Sequence, residues 1–142
     1  FNFVMDSEAL KKRLSEKGLR ITGRRLALLK AVIELNHPSA DEIIACIRRD
    51  YPDTATATVY KALNVLAGRK VIFKVNTERD VIRYDAVTEP HHHLYCPEID
   101  KIRDYRDKVL EMMLTTYFEK KKISGFRFED VKIQIIGQFT DL

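Results

Sequence analysis

The sequence predicts an α+β chain in two parts: helices closed by a β-ribbon, then a smaller segment that mixes strands with one helix. Three observations carry this. Four amphipathic helical patterns fill roughly the first half, two short β-type runs follow, and after residues 85–90 the pattern changes to strand, strand, helix, strand.

The first helical pattern starts at Asp6, carries Ala9, Leu10 and Leu14, and stops at Gly18, an acidic cap at one end and glycine at the other. The second follows Thr22 as N-cap and sets Leu26, Leu29, Val32 and Ile33 on one face. It ends before His37-Pro38, because the residue preceding proline is pushed out of the helical region. The third opens with the capping box Ser39-Ala40-Asp41-Glu42 and buries Ile43, Ile44 and Ile47. The fourth opens in the threonine-rich stretch 53–58, puts Val59, Leu63 and Leu66 on one face, and ends at Gly68. Its other face holds Tyr60, Lys61 and Asn64. Residues 71–75 and 81–84 read as strands around the polar turn 76–80. Helices followed by a two-stranded ribbon describe a winged helix-turn-helix.

Strands are expected at 91–96, 101–105 and 126–138, with a helix over 107–122 carrying Leu110, Met113, Leu114 and Tyr117, broken by Ser124-Gly125. The expected division is a winged-helix domain over 1–84, a hinge over 85–90 and a small α/β dimerisation domain over 91–142. A core built from so short a segment is marginal alone, so a homodimer through this part is expected. Its packing is assigned to Met112, Met113, Phe126, Phe128, Val131, Ile133 and Ile135.

Composition narrows the partners. Residues 1–84 hold 16 Lys and Arg against 10 Asp and Glu, whereas 85–142 hold 9 against 11. A basic module joined to a mildly acidic one points to a polyanion for the first and another task for the second. The longest apolar stretches, such as 26–29 and 133–136, fall far short of the roughly 20 residues that cross a bilayer, so neither a membrane partner nor a secretory leader is expected. Residues 1–4 are apolar but short and are set aside from the fold argument. Two cysteines, Cys46 and Cys96, form no disulfide framework, and a reducing cytoplasm fits best.

The chemistry concentrates at His91-His92-His93, three of the four histidines in the chain. On a strand His91 and His93 share a face and His92 takes the other. Two imidazoles so spaced, with Asp85 upstream and Asp104 on the next strand, form a nitrogen and carboxylate set suited to Fe(II), Mn(II) or Zn(II). A solvated histidine run is the plain alternative, weakened because the run lies between apolar strands. Histidines with aspartate also occur in non-haem iron enzymes, but those need a substrate pocket, and this chain spends its first half on a basic helical module. A purely structural winged-helix adaptor is the other rival.

Several motifs taken in order resemble the ferric uptake regulator family over nearly the whole chain. They are Gly18-Leu19-Arg20-Ile21-Thr22-Gly23-Arg24-Arg25, with Gly23 where proline is common; His37-Pro38-Ser39-Ala40-Asp41-Glu42-Ile43; Thr56-Ala57-Thr58-Val59-Tyr60-Lys61-Ala62-Leu63; Arg83-Tyr84-Asp85; and His91-His92-His93-Leu94-Tyr95-Cys96. The resemblance implies a metal-dependent repressor, not an enzyme, with regulatory ligands His37, Asp85, His91, His93 and Asp104. It also implies a homodimer on a pseudo-palindromic, A·T-rich double-stranded DNA operator. The DNA-facing set is Arg20, Arg25, Thr56, Thr58, Tyr60, Lys61 and Asn64, with Tyr60 against thymine methyls and Lys61 on a phosphate. A core-facing Tyr60 and an ordinary solvated Arg25 remain open.

Aspartate at Asp104 resembles the peroxide-responsive repressors of the family, where iron-uptake repressors usually carry glutamate. This implies Fe(II) chemistry that oxidises His37 or His91, with Mn(II) supporting DNA binding without it and Zn(II) acceptable in purified protein. The alternative is iron, manganese or zinc homeostasis. Many members hold a structural zinc in two C-x-x-C pairs; here Ile99 stands at the spacing after Cys96 and no later cysteine exists, so no structural zinc is expected. Cys96 then reads as a buried small apolar residue.

Overall fold

The computed structural model describes residues 6–142; the arm read at 1–4 lies outside them. The chain divides into two compact units, one ending at Thr88 and one starting at Glu89.

The first unit holds α1 (Ser7–Glu16), α2 (Gly23–Leu35), α3 (Ala40–Ile47), α4 (Thr56–Gly68), β1 (Phe73–Val75) and β2 (Arg83–Asp85). Side chains cap the helices where the sequence places them. Asp6 accepts the Glu8 amide, Thr22 the Arg25 amide and Ser39 the Glu42 amide. Apolar stripes of all four helices meet in one core, where Leu14, Leu29, Ile43, Leu63, Leu66 and Ile72 have no exposed surface. β1 and β2 pair antiparallel, Phe73 opposite Asp85, completing a winged helix-turn-helix.

The ribbon is shorter than its apolar pattern. Val71 and Ile72 are buried but not strand, because both amides turn back onto the Leu66 carbonyl to close α4, with Lys70 left-handed at φ 59°. Val81 and Ile82 stand 42% and 41% exposed outside the ladder. β2 ends at Asp85.

The second unit holds β3 (His92–Cys96), β4 (Lys101–Tyr105), α5 (Lys108–Lys120) and β5 (Gln134–Ile136). β3 is central, antiparallel to β4 and parallel to β5. The strand expected over 126–138 forms only at β5. A strand exists where a partner offers free backbone groups, and one edge of β3 offers the stretch bounded by the His93 amide on Ile133 and the Gly137 amide on Tyr95.

The packing expected for this unit is not found within one chain. No residue of α5 is buried, and Met112, Met113, Phe126 and Ile135 are exposed, as is Phe128; Val131 and Ile133 are only half-buried. One helix and a three-stranded sheet have too little surface to enclose them.

Candidate metal centre and nucleic-acid face

His37 is placed by an unusual turn. After α2 both Asn36 and His37 are left-handed, φ 53° and 54°, a conformation that costs energy outside glycine. The turn is stitched to β2: the Tyr84 amide donates to the Pro38 carbonyl at 2.9 Å, Ser39 bridges Arg83, and Arg83 Nη1 donates to the His37 carbonyl at 3.0 Å. These bonds bring His37 Nε2 to 3.9 Å from Oδ2 of the buried Asp85. The other carboxylate oxygen, Oδ1, accepts the Val87 amide at 2.9 Å.

The second unit carries its own cluster. His91 Nε2 and His93 Nε2 stand 3.5 and 3.6 Å from the same atom, Asp104 Oδ1. The register explains it, since β3 and β4 set His93 directly opposite Asp104. His91 Nδ1 lies 2.8 Å from the Glu89 carbonyl, which can only accept, so Nδ1 donates there and Nε2 is the ring nitrogen left to face Asp104. Both rings are buried.

These residues fit a divalent ion. Donors held about 2.1 Å from a common ion stand roughly 3.0 to 3.4 Å apart. The three separations here are slightly wider than that and too long for hydrogen bonds. An imidazole and carboxylate set suits first-row divalent metals.

His92 points to the opposite face. Its Nδ1 accepts the Ile133 amide at 2.9 Å, which makes the ring neutral with its proton on Nε2, facing the Glu111 carboxylate of α5. The ring therefore ties β3 to α5 and to Ile133, the residue before β5. Strand alternation indicated its direction; nothing in the sequence indicated Glu111.

On α4 the side chains of Thr56, Thr58, Tyr60, Lys61 and Asn64 are all exposed, and Tyr60, at 43%, does not face the core. Thr56 Oγ1 accepts from Arg48 Nη2, and Asn64 Oδ1 accepts from Lys74 Nζ at 2.9 Å. Arg20 is exposed. Arg25 is half-buried and donates from Nη1 to the Arg20 carbonyl at 2.8 Å, holding the turn that enters α2. Arg48 and Lys74 escaped the sequence reading because their partners lie on other elements.

The ferric uptake regulator family model matches residues 16–136. The chain belongs to the ferric uptake regulator family. Members of this family are transcription regulators, not enzymes, so the enzyme reading is set aside. The chain is 38% identical over 92 residues to ferric uptake regulation protein 1 of Mycolicibacterium fortuitum, covering 64% of this chain but only 57% of that protein. It is 30% identical over 135 residues to the peroxide operon regulator of Bacillus subtilis, covering 92% and 88% of the two chains. Among solved structures, the Campylobacter jejuni peroxide stress regulator superposes with a TM-score of 0.72 at 26% identity, covering 96% of this chain and 97% of that one. No helix among the described residues is long and apolar enough to cross a membrane.

Proposed function

We propose that this ferric uptake regulator family member is a cytoplasmic, homodimeric repressor that holds its DNA operator only with a divalent ion bound. The ion is Fe(II) or Mn(II), taken by His37, Asp85, His91, His93 and Asp104. The carrying observation is the convergence of His91 and His93 on one oxygen of Asp104. Ligands from both units, bridged by one ion, favour one mutual arrangement of the proposed DNA-binding domain (1–84) and dimerisation domain (91–142) across the hinge (85–90). A swing from mostly open to mostly closed needs about 5 kcal/mol of differential metal affinity, within reach of two good ligands. The exposed face of α4 and the basic first unit support operator binding through Thr56, Thr58, Tyr60, Lys61 and Asn64, flanked by Arg20 and Arg25. The uncovered apolar side chains of α5 and β5 support the dimer.

The signal is hydrogen peroxide. Fe(II) held by these residues would supply the redox chemistry that activates peroxide. In net terms the peroxide O–O bond would break, one oxygen atom would insert into a ring C–H bond of His37 or His91, and the other would leave as water, so that peroxide is the two-electron oxidant and the ring the reductant. The oxidised ring would ligate poorly, and the repressed defence genes would be released. Aspartate at Asp104 supports this reading, as does the likeness to two peroxide regulators. The 38% identity to a ferric uptake regulation protein favours metal homeostasis as the second reading.

The test is operator binding by Fe(II)- and Mn(II)-loaded protein before and after stoichiometric peroxide, with peptide mass spectrometry on the segments holding His37 and His91. Loss of binding in the iron form alone, with one added oxygen on either histidine, supports the sensor. Metal-dependent binding that survives peroxide leaves a homeostasis repressor.

A further inference from the structure

Arg83 and Asp85 lie two residues apart on β2 and so share one face of the strand. Asp85 is a proposed metal ligand, and Arg83 clasps the turn that carries the other proposed ligand of this unit, His37. Arg83 Nη1 donates to the His37 carbonyl at 3.0 Å and lies 3.4 Å from Glu42 Oε1 in the first turn of α3. The Arg83 side chain is only 15% exposed, so water competes little for that carbonyl. Asn36 and His37 are both left-handed, and two such residues in succession persist only where their surroundings hold them. The Tyr84 amide on Pro38 and the bridge between Ser39 and Arg83 are backbone contacts, which most side chains would leave in place. The guanidinium differs from both, because it grips His37 itself and exists only with arginine at residue 83.

We infer that Arg83 is a positioning residue for metal binding: by holding the His37 carbonyl it keeps the left-handed turn formed before the ion arrives, with His37 Nε2 already 3.9 Å from Asp85 Oδ2. The inference rests on the metal reading of His37 and Asp85 given above. Ligands ordered in advance lose less freedom on binding. Without the guanidinium the turn relaxes toward the commoner helical and extended conformations, which carry the ring away from Asp85. The apparent affinity then falls by the fraction of molecules that still hold the competent turn.

The experiment is calorimetric Mn(II) titration of the chelator-stripped full chain in wild type, R83Q, H37A and the double variant R83Q/H37A, at a temperature where all are folded. R83Q should lose about 10- to 100-fold in affinity, the range for an outer partner of a metal ligand. Once the His37 ring is gone its position no longer matters, so in the H37A background R83Q should cost less than about threefold. A merely structural Arg83 costs the same factor in both backgrounds, and that result, like an R83Q affinity equal to wild type, overturns the inference. In metal-free protein the Tyr84 amide, donor to the Pro38 carbonyl, should exchange with solvent about tenfold faster or more in R83Q, while the core amides of Leu29 and Leu63 keep their rates. An unchanged Tyr84 rate, or equal acceleration at all three, overturns it as well. Should R83Q fail to fold, R83K takes its place in the same cycle, since lysine keeps the charge beside Glu42 but not the guanidinium fork; equal factors in both backgrounds again overturn the inference. Absence of Mn(II) binding by the wild type removes the metal reading and this inference with it, a result distinct from binding whose loss is the same with and without His37.

Discussion

The ring of His91 stands edge-on to that of His93, centroids 4.8 Å apart at 82°, with both Nε2 atoms turned toward Asp104 Oδ1. The residue between them, His92, is equally buried but spends both ring nitrogens on its own unit. Three adjacent histidines therefore divide into two proposed ligands and one structural tie, and substitution should separate the two roles.

His91→Ala and Asp104→Ala should fold and lose roughly a hundredfold or more in Mn(II) affinity, since even outer partners of a metal ligand are worth 10- to 100-fold. His92→Leu should do the reverse, keeping metal affinity while costing about 1–3 kcal/mol for the polar partners left behind. Calorimetric Mn(II) titration beside urea unfolding checks both; equal loss of affinity in all three variants defeats the division.

Lys61→Ala should weaken DNA binding about equally on every sequence and reduce the salt slope by about 1, as expected for one lost phosphate contact. Tyr60→Ala should cost most on operators with thymine at the contacted step. Binding isotherms over a salt series distinguish them.

Ser39 caps α3 through the Glu42 amide at 3.3 Å. Ser39→Ala should lower unfolding free energy by about 1 kcal/mol without changing the denaturant slope.

Asp107 gives an acid dependence. The Leu110 amide first, then the Tyr105 hydroxyl, hold its carboxyl below the ordinary aspartate value of 3.8. A depressed folded pKa means the stabilisation is complete above that ordinary value and fades as pH falls through the lower one. Asp107→Asn should flatten this part of the acid limb of a midpoint-against-pH curve, and an unchanged limb excludes the cap as its cause.

Met113 is 64% exposed on α5. If this face meets a second copy, Met113→Asp should shift the mass measured by light scattering from dimer to monomer at micromolar concentration. A mass unchanged over that range puts the dimer interface elsewhere.

The helices were legible because their signals are local. Caps at Asp6, Thr22 and Ser39 and stripes such as Val59, Leu63 and Leu66 act within a few residues of themselves, and each appears where the pattern places it. The opposite facings of His92 and its neighbours followed from strand alternation alone. Strand lengths were less legible: Val71, Val81 and the segment 126–133 carry strand-like patterns, but a strand also needs a partner edge, which lies far off in the chain.

The sequence by itself determined the helical first unit and the opposite facings of His92 and its two histidine neighbours, because propensity, capping and periodicity are properties of neighbouring residues; that Tyr60 faces away from the core was decided by the structure. Only tertiary structure decided that Asp104 lands opposite His93, that a left-handed turn stitched to β2 sets His37 beside Asp85, and that Arg83 reaches back to His37 and Glu42. Each of these joins residues distant in the chain, and such meetings depend on register and on where a charged side chain finds its partner.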